Sequence, residues 1–249
     1  MPKYKTITIE PTERGVILWL NRPKIKNAIS ELVINELRDF FKNPSTNFRY
    51  IIIAGKGDCF AAGADLKEMY NVTEEKAYSI SRYLHQLLKS IGQYPVPVVS
   101  AVHGYAIGGG FELAMAADFI FATSTCFFSL PELNYDLIPG GGATQRLPQK
   151  MGRADALYYI MSGEPISADS AKAYGIVQKL MDEKNFISDV VSHMELLIGT
   201  KDEEAIATAK SAIRNAGNDN GYEIESKGFA KLLTQKAKVH IEKFMKKSK

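Results

Sequence analysis

Short runs of apolar residues alternate along the chain with longer segments in which apolar residues recur at helical spacing. Runs at residues 6–10 and 15–20 flank a Pro-Thr-Glu-Arg-Gly segment that is typical of a turn, so they predict a β-hairpin. The runs at residues 50–54, 96–102 and 119–122 are almost entirely apolar, as expected of strands buried on both faces of a sheet.

Helical patterns occupy the intervals between these strands. Ser30 can N-cap one helix and Thr73 precedes a longer one, and further helices are predicted from about Gly109 and after Ala143. On the first helix, apolar residues recur at helical spacing at Leu32, Val33, Ile34, Leu37, Phe40 and Phe41. Strands separated by helices indicate a layered α/β body in which strands pair in parallel.

From about residue 183 the pattern is helical to the end. We therefore divide the chain into an α/β body over residues 1–180 and a helical C-terminal segment over residues 181–249, within one domain.

No apolar run approaches the length that spans a membrane, and the N-terminus passes into the first strand pattern without a signal core or transit segment. We expect a cytoplasmic protein with no membrane association.

The charge of the chain is concentrated at its C-terminus. The 31 Lys and Arg residues nearly balance the 28 Asp and Glu residues, which gives no indication of a general nucleic-acid binder. Residues 230–249, however, have a local charge of +6 against −3 for the preceding residues. The lysines responsible are Lys231, Lys236, Lys238, Lys243, Lys246, Lys247 and Lys249.

Cys59 and Cys126 have no metal-ligand spacing, so we expect two buried thiols and no metal site.

Three glycine-rich turns stand out: residues 60–67 follow a predicted strand, whereas residues 104–110 and 139–142 each precede a predicted helix. Glycine lets the backbone approach a ligand closely, and free N–H groups at a helix start can bind negative oxygen. None of the turns has the spacing of a dinucleotide-binding loop, a P-loop or a serine-hydrolase elbow. The alternative role for such a turn is tight packing between a helix and a strand.

Two carboxylates lie near these turns. Glu112 follows the second turn by two residues and Glu132 lies in a loop marked by Pro131. Paired carboxyl groups in different environments can divide acid and base work on a water molecule. Residue type alone leaves other roles open, because an acid in a first helical turn also favours the helix dipole and a loop acid can simply be solvated.

Motifs throughout the chain resemble the crotonase superfamily and are most similar to enoyl-CoA hydratase. The resemblance covers residues 60–69, 104–113 and 131–147, together with Asn-Arg-Pro and Asn-Ala within residues 21–28 and a further match at residues 167–177. It implies a ClpP/crotonase-like α/β spiral of ββα units with a C-terminal helical trimerisation segment. It also implies a homotrimer or a dimer of trimers.

The resemblance assigns roles to individual residues. Backbone N–H groups of Ala64 and Gly109 would form an oxyanion hole for an acyl-CoA thioester. Glu112 would take a proton from the water that attacks C3 of a 2-enoyl-CoA, and Glu132 would deliver a proton to C2. The predicted substrate and coenzyme A contacts are Lys24, Lys26, Ala28, Ala62, Ala64, Asp65, Leu66, Lys67, Gly109, Pro131, Gly140 and Phe244. No separate cofactor is expected, because coenzyme A is part of the substrate.

Functions other than hydration remain open for a chain with these motifs. A crotonase-type isomerase, decarboxylase or hydrolase could use a similar site, and a non-catalytic acyl-CoA-binding member is a further possibility. Tyr135 and Asp136 depart from the family pattern, and they either line the acyl pocket or adjust the surface. We expect a structural role for His103. Taken alone, the basic tail is typical of a solvated helix face, with a nucleic-acid or membrane patch as weaker alternatives. The resemblance implies instead that the tail, with Phe244, binds coenzyme A phosphates, partly on a neighbouring subunit.

Overall fold

The computed structural model describes residues 4–42 and 48–247. In chain order the strands are β1 (Ile7–Pro11), β2 (Val16–Leu20), β3 (Ile51–Gly55), β4 (Val98–Val102), β5 (Tyr105–Ile107), β6 (Phe119–Thr123), β7 (Phe127–Ser129), β8 (Ile166–Ser167) and β9 (Lys179–Met181). The α-helices are α1 (Glu31–Lys42), α2 (Leu66–Met69), α3 (Glu74–Gln93), α4 (Gly109–Ala114), α5 (Ala143–Arg146), α6 (Pro148–Met151), α7 (Arg153–Ser162), α8 (Ala168–Ala173), α9 (Phe186–Ile198), α10 (Glu203–Arg214), α11 (Asp219–Leu232) and α12 (Lys238–Lys247). Short 3₁₀ turns occur at Pro23–Ile25 and Glu132–Tyr135, and a π turn at Leu233–Ala237 links the last two helices.

The strands form two sheets. The larger has the order β1-β2-β3-β4-β6-β9, with an antiparallel β1–β2 hairpin and parallel pairing thereafter. The smaller has the order β5-β7-β8, and two isolated parallel bridges, Ile29–Ala64 and Ala61–Ala106, lie outside these strands. Successive segments such as β4–β5–α4 and β6–β7–α5 repeat one strand from each sheet followed by a helix. This arrangement is the predicted spiral of ββα units.

The larger sheet is buried on both faces. In β3, Ile51 and Ile53 belong to one apolar core, while Ile52 and Ala54 belong to a second core on the opposite face. The second core is covered by α9, whose buried residues are Phe186, Val190, Met194 and Ile198. Because period-two alternation buries every side chain of β3, its sequence is continuously apolar.

The helical patterns in the sequence predict the starts of two helices correctly but do not predict breaks within a third helical segment. The Oγ atom of Ser30 accepts a hydrogen bond from Val33 N–H at 3.2 Å, and Thr73 caps α3 through Lys76 N–H at 3.3 Å. The helix predicted after Ala143 is divided into α5, α6 and α7, because Pro148 begins a new turn and Gly152 has a positive φ of 84°.

The C-terminal segment packs directly against the α/β body. Strand β9 pairs with β6 up to Met181, and helices follow from Phe186. The predicted division at residue 180 therefore lies within the last strand of the large sheet. Because α9 covers one face of that sheet, the first helix of the C-terminal segment is part of the body's core.

Asn27 holds the loop that follows β3 in place. Its Nδ2 atom lies 2.9–3.1 Å from the carbonyl oxygens of Lys56, Cys59 and Phe60, and its Oδ1 accepts a hydrogen bond from Arg22 N–H. The residue is buried and has a positive φ of 54°, a backbone conformation that asparagine adopts more readily than most residues. This one side chain therefore determines how the chain enters the first glycine-rich turn.

Replacing Asn27 by Ala should lower the free energy of unfolding by about 2–4 kcal/mol, because buried carbonyl groups lose their donor and the left-handed backbone loses a tolerant side chain. Urea unfolding of the two proteins measures the difference. Asn71→Ala, at an exposed position, is the matched control and should change the stability by less than about 0.5 kcal/mol. Equal effects of the two substitutions would contradict the assignment.

Candidate active site

The two glutamates are brought together by the smaller sheet. Strands β5 and β7 pair in parallel, so the start of α4, with Glu112, and the 3₁₀ turn that begins at Glu132 leave the same edge of the sheet. Gly108 N–H donates to Ser129 O at 2.8 Å, and a Cβ atom built on Gly108 would lie 2.9 Å from Glu132 Oε1. The Glu132 carboxyl group therefore lies against the backbone that leads directly into α4.

Glu112 is buried, and backbone donors hold its carboxylate. The side chain is 2% exposed, and Oε1 accepts hydrogen bonds from Gly141 N–H at 2.8 Å and Ala143 N–H at 2.9 Å. A Cβ atom on Gly141 would lie 2.6 Å from Glu112 Oε2, so this approach requires glycine. Burial raises the pKa of Glu112, whereas the N–H groups of Ala143 and Gly141 act in the opposite direction.

This contact gives the third glycine-rich turn a role that the sequence did not reveal. The turn was a candidate for direct contact with a ligand, and Gly140 does line the cavity described below. Its neighbours Gly141 and Ala143 instead donate to the catalytic candidate Glu112. The positive end of α5 therefore faces a side chain of the protein.

Glu132 is in a different environment. Its Oε2 atom is buried and, within the described part of the chain, has no hydrogen-bond partner. Burial raises the pKa of Glu132 to about 7, and the charge of Glu112 adds to this effect. Burial thus raises the pKa of both carboxyl groups, but backbone donors oppose the rise at Glu112, whereas one oxygen of Glu132 has no such donor among the described residues.

The backbone N–H groups of Ala64 and Gly109 are the two that the family resemblance assigns to an oxyanion hole. Neither donates a hydrogen bond to any residue that the structure describes. A Cβ atom on Gly109 would lie only 3.8 Å from Ala64 N, so the two groups are close together. Each follows a glycine with positive φ, Gly63 at 100° and Gly108 at 51°. Two unpaired N–H groups this close together are compatible with the predicted oxyanion hole, which stays a prediction.

These groups line one cavity of about 470 Å³. The predicted site residues found in its wall are Ala62, Ala64, Asp65, Leu66, Gly109, Glu112, Pro131, Glu132 and Gly140. Sequence reasoning missed most of the apolar wall from α2, α3 and the loop after Glu132, which includes Met69, Val72, Ala77, Ile80, Leu84 and Ile138. Ile80 and Leu84 recur at helical spacing in the helix predicted after Thr73, but such a pattern does not distinguish a core face from a cavity wall.

An adjacent groove of about 500 Å³ accounts for further predicted contacts. Ala28 and Lys67 line it together with Ala64, Asp65 and Leu66. The other three predicted contacts, Lys24, Lys26 and Phe244, line neither space. Lys26 pairs with Asp58 at 2.8 Å, and the Phe244 side chain is 72% exposed on α12. Their proposed contact with coenzyme A stays a prediction.

The two departures from the family pattern differ in location. Tyr135 lines the cavity, whereas Asp136 does not. Asp136 has a positive φ of 55° at the end of the 3₁₀ turn, a backbone conformation that a short polar side chain tolerates. His103 lies outside this cavity, and its Nε2 atom is 2.8 Å from Gly57 O. It lines a separate depression of about 590 Å³ whose wall includes neither Glu112 nor Glu132.

Among residues 4–42 and 48–247, no group of three or more His, Cys, Asp or Glu side chains could hold a metal ion. No helix in the same segments is long and apolar enough to cross a membrane.

Comparison with known proteins identifies the family. The family model described as "Enoyl-CoA hydratase/isomerase" matches residues 12–249. The chain belongs to this family. The crotonase resemblance seen in the sequence motifs is thereby confirmed, and it extends over almost the whole enoyl-CoA hydratase/isomerase chain described here.

Individual relatives of this hydratase/isomerase chain agree with the assignment. It is 32% identical to crotonyl-CoA hydratase of Syntrophomonas wolfei, with 99% of this chain and 97% of the relative covered. It is 34% identical to the mitochondrial enoyl-CoA hydratase of Pongo abelii, with 94% and 81% covered. The crystal structure of enoyl-CoA hydratase from Bacillus anthracis superposes with a TM-score of 0.90 at 31% identity, covering 98% and 97% of the two chains. The predicted fold class is confirmed.

Replacing Glu132 by Gln should stabilise this family member increasingly as the pH rises. The pKa of Glu132 is raised from 4.5 to about 7 on folding, so the native chain keeps a proton that the unfolded chain loses between these values. The free energy of unfolding therefore falls through this interval in the wild type, and glutamine removes that fall. We expect a relative gain of about 1–2 kcal/mol for Glu132→Gln between about pH 4.5 and about pH 8, allowing for partial exposure.

Urea unfolding at a series of pH values measures this gain. Glu164→Gln, at an exposed position outside the cavity, is the matched control against which the gain of Glu132→Gln is compared. A constant difference between Glu132→Gln and the wild type over the whole interval would contradict the raised pKa.

Proposed function

We propose that this chain is an enoyl-CoA hydratase, which adds water across the 2,3 double bond of a 2-enoyl-CoA to give a 3-hydroxyacyl-CoA. One observation supports this proposal most directly: the buried Glu112, held by backbone donors, and the partly buried Glu132, with one unpaired oxygen, line the same cavity as two unpaired backbone N–H groups. The printed names of the Syntrophomonas and Pongo relatives agree with this reaction.

In the proposed reaction, the N–H groups of Ala64 and Gly109 bind the thioester carbonyl oxygen and stabilise the negative charge that develops there. The carboxylate of Glu112 accepts a proton from water as the water oxygen bonds to C3. Glu132, protonated at the outset, donates its proton to C2. The two carboxyl groups thus exchange protonation states in each turnover, and a proton returns from Glu112 to Glu132 before the next one.

A double-bond isomerase is the second candidate, and the family description includes it. Isomerisation moves one proton between two carbons of the substrate, and a single carboxyl group suffices for that transfer. Addition of water instead needs a base for the water and an acid for C2. The hydrogen-bonded Glu112 and the unpaired Glu132 fit this pair of roles, which favours hydration.

Glu112→Gln and Glu132→Gln should each lower kcat for hydration of crotonyl-CoA by a factor of about 10²–10⁴, because each removes one proton-transfer group. Loss of enoyl absorbance measures the rate. Glu164→Gln, with an exposed side chain outside the cavity, should retain wild-type kcat. Near-normal turnover in either active-site variant would contradict the assigned role, and conversion of 3-enoyl-CoA without hydration by the wild type would identify an isomerase.

We further propose that the substrate is a free coenzyme A thioester and that no separate cofactor is used. The groove lined by Ala28, Asp65 and Lys67 adjoins the acyl cavity at Ala64, so it suits the pantetheine and nucleotide portion of such a thioester. The buried free thiols of Cys59 and Cys126 support a reducing compartment such as the cytoplasm.

The basic tail is only partly neutralised within the chain. Lys236 pairs with Asp202 at 2.8 Å and Glu204 at 3.1 Å, and Lys231 also pairs with Glu204. Other exposed lysines of α12, Lys238, Lys243 and Lys246, have no ion-pair partner among the residues described. Lys249 and the side chain of Lys247 lie outside the described residues. The unneutralised charge is therefore available to a phosphate-bearing ligand.

A homotrimer, or a dimer of trimers, would allow this tail to reach the site of a neighbouring copy. Large apolar side chains are exposed on the C-terminal helices, as expected of a surface that is covered by assembly. They include Leu196, Ile213, Tyr222, Phe229, Val239, Ile241, Phe244 and Met245.

Truncation after Lys243 should raise the apparent KM for crotonyl-CoA severalfold and change kcat by less than about twofold, because it removes Phe244 and tail lysines but no proposed catalytic group. Steady-state kinetics measures both constants. Lys236→Ala, which removes a charge already paired within the chain, should leave KM unchanged. An unchanged KM in the truncated protein, at unchanged particle mass, would assign the tail to a solvated surface.

A further inference from the structure

Arg146 lies at the end of α5, beside the loop that supplies both hydrogen bonds to Glu112. Its Nη1 atom donates a hydrogen bond to Gly141 O at 2.8 Å. The N–H group of Gly141 in turn donates to Glu112 Oε1 at 2.8 Å. Gly141 is therefore held at its carbonyl group by Arg146 and holds the proposed base through its N–H group.

The backbone leaves a specific space for this guanidinium. Gly142 has a positive φ of 103°, and a Cβ atom there would lie 2.6 Å from Arg146 Nη1. The half-buried guanidinium thus packs directly on the Gly142 backbone. In the described segments no carboxylate oxygen lies within 4.0 Å of it, so its charge is not neutralised by a close ion pair.

The charged groups around Glu112 come from several elements. Burial raises the pKa of Glu112, and the Ala143 and Gly141 N–H groups followed by the Arg146 charge oppose that rise. Glu132 faces Glu112 from the 3₁₀ turn.

Other cations near Arg146 lie on α3 and α10. His85 on α3 is close to Arg146 and to the exposed Arg82. Arg214 on α10 is paired with Asp118 at 2.9 Å. Arg146 is therefore the cation that combines a hydrogen bond to the Glu112-binding loop with a direct electrostatic effect on Glu112.

We propose that Arg146 is a positioning residue for the hydration reaction: it orients Gly141 toward Glu112, and its charge keeps Glu112 able to accept a proton from water. Arg146 does not line the cavity, so it acts through Gly141 and Glu112 and not on the substrate. This inference rests on the proposed hydratase function.

Kinetics of Arg146→Gln and Arg146→Lys over a range of pH tests the proposal. Arg146→Gln should lower kcat roughly 10- to 100-fold through misplacement of the base, with KM within about twofold of the wild type. In the plot of kcat/KM against pH, the midpoint of the acidic limb should move upward by about one pH unit. Activity falls on this limb as Glu112 takes up a proton, and loss of the Arg146 charge makes that protonation easier. Arg146→Lys keeps the charge but loses the planar fork, so it should keep the wild-type limb and recover part of kcat.

Arg82→Gln is the matched control, because it removes an exposed cation from the neighbouring helix α3. It should alter neither kcat nor the acidic limb. A wild-type kcat in Arg146→Gln, or an unchanged acidic limb in that variant, would overturn the proposal. If Arg146→Gln does not fold, Arg146→Lys decides: a lowered kcat with an unchanged limb supports the positioning role, and a wild-type kcat overturns it.

A measurement without substrate separates this inference from the proposed function. In NMR spectra of protein labelled with ¹³C-glutamate, the Glu112 carboxyl signal is assigned as the one that is absent from the spectrum of the Glu112→Gln variant. Its titration midpoint should move upward by about one unit in Arg146→Gln and stay in place in Arg146→Lys and Arg82→Gln. If the wild type hydrates no enoyl-CoA, the hydratase proposal fails, while a shifted midpoint still assigns the electrostatic role to Arg146 and an unshifted midpoint removes it.

Discussion

The burial of the Glu112 carboxylate is the constraint on which the rest of the site depends. A carboxyl group that is 2% exposed is costly in its ionised form unless nearby donors replace water. Gly141 and Ala143 provide those donors, and this requires a loop that approaches the side chain without a Cβ atom at residue 141. Glu132, by contrast, has one buried oxygen without a hydrogen-bond partner among the described residues, and its own burial favours the protonated form. The backbone donors at Glu112 and their absence at that oxygen of Glu132 thus make the two acids different, as the proposed reaction requires.

The sequence predicts the parts of this molecule that follow from local pattern. The run at residues 50–54 predicts β3 to within one residue, because a strand buried on both faces must be apolar throughout. The glycine-rich turns indicate where the backbone makes close approaches, and the cavity wall includes residues from all three turns and both glutamates that the family motifs single out. Local pattern does not reveal which partner a glycine serves, so the contact between Gly141 and Glu112 emerges only from the fold.

Other features stay hidden for the same physical reason. The apolar face of α3 looks identical in sequence whether it packs on a core or lines a cavity, so Ile80 and Leu84 were assigned to a helix but not to the site. The tail lysines form a single charge cluster in the sequence, yet Lys231 and Lys236 are paired with acids near the start of α10. Pairings between distant segments depend on tertiary contacts that residue spacing does not encode.

The parallel pairing of β3, β4 and β6 also has a consequence for how the molecule folds. Parallel neighbours are joined by crossovers, so their contacts link residues far apart in the chain, and such non-local pairing slows folding. Ala64 and Gly109 become neighbours only after β3 and β4 have paired, and Glu112 gains its donors only when the chain to Ala143 has joined them. The proposed site therefore needs residues from beyond the N-terminal half of the chain, and Glu112 lacks both of its backbone donors until residues 141–143 are in place.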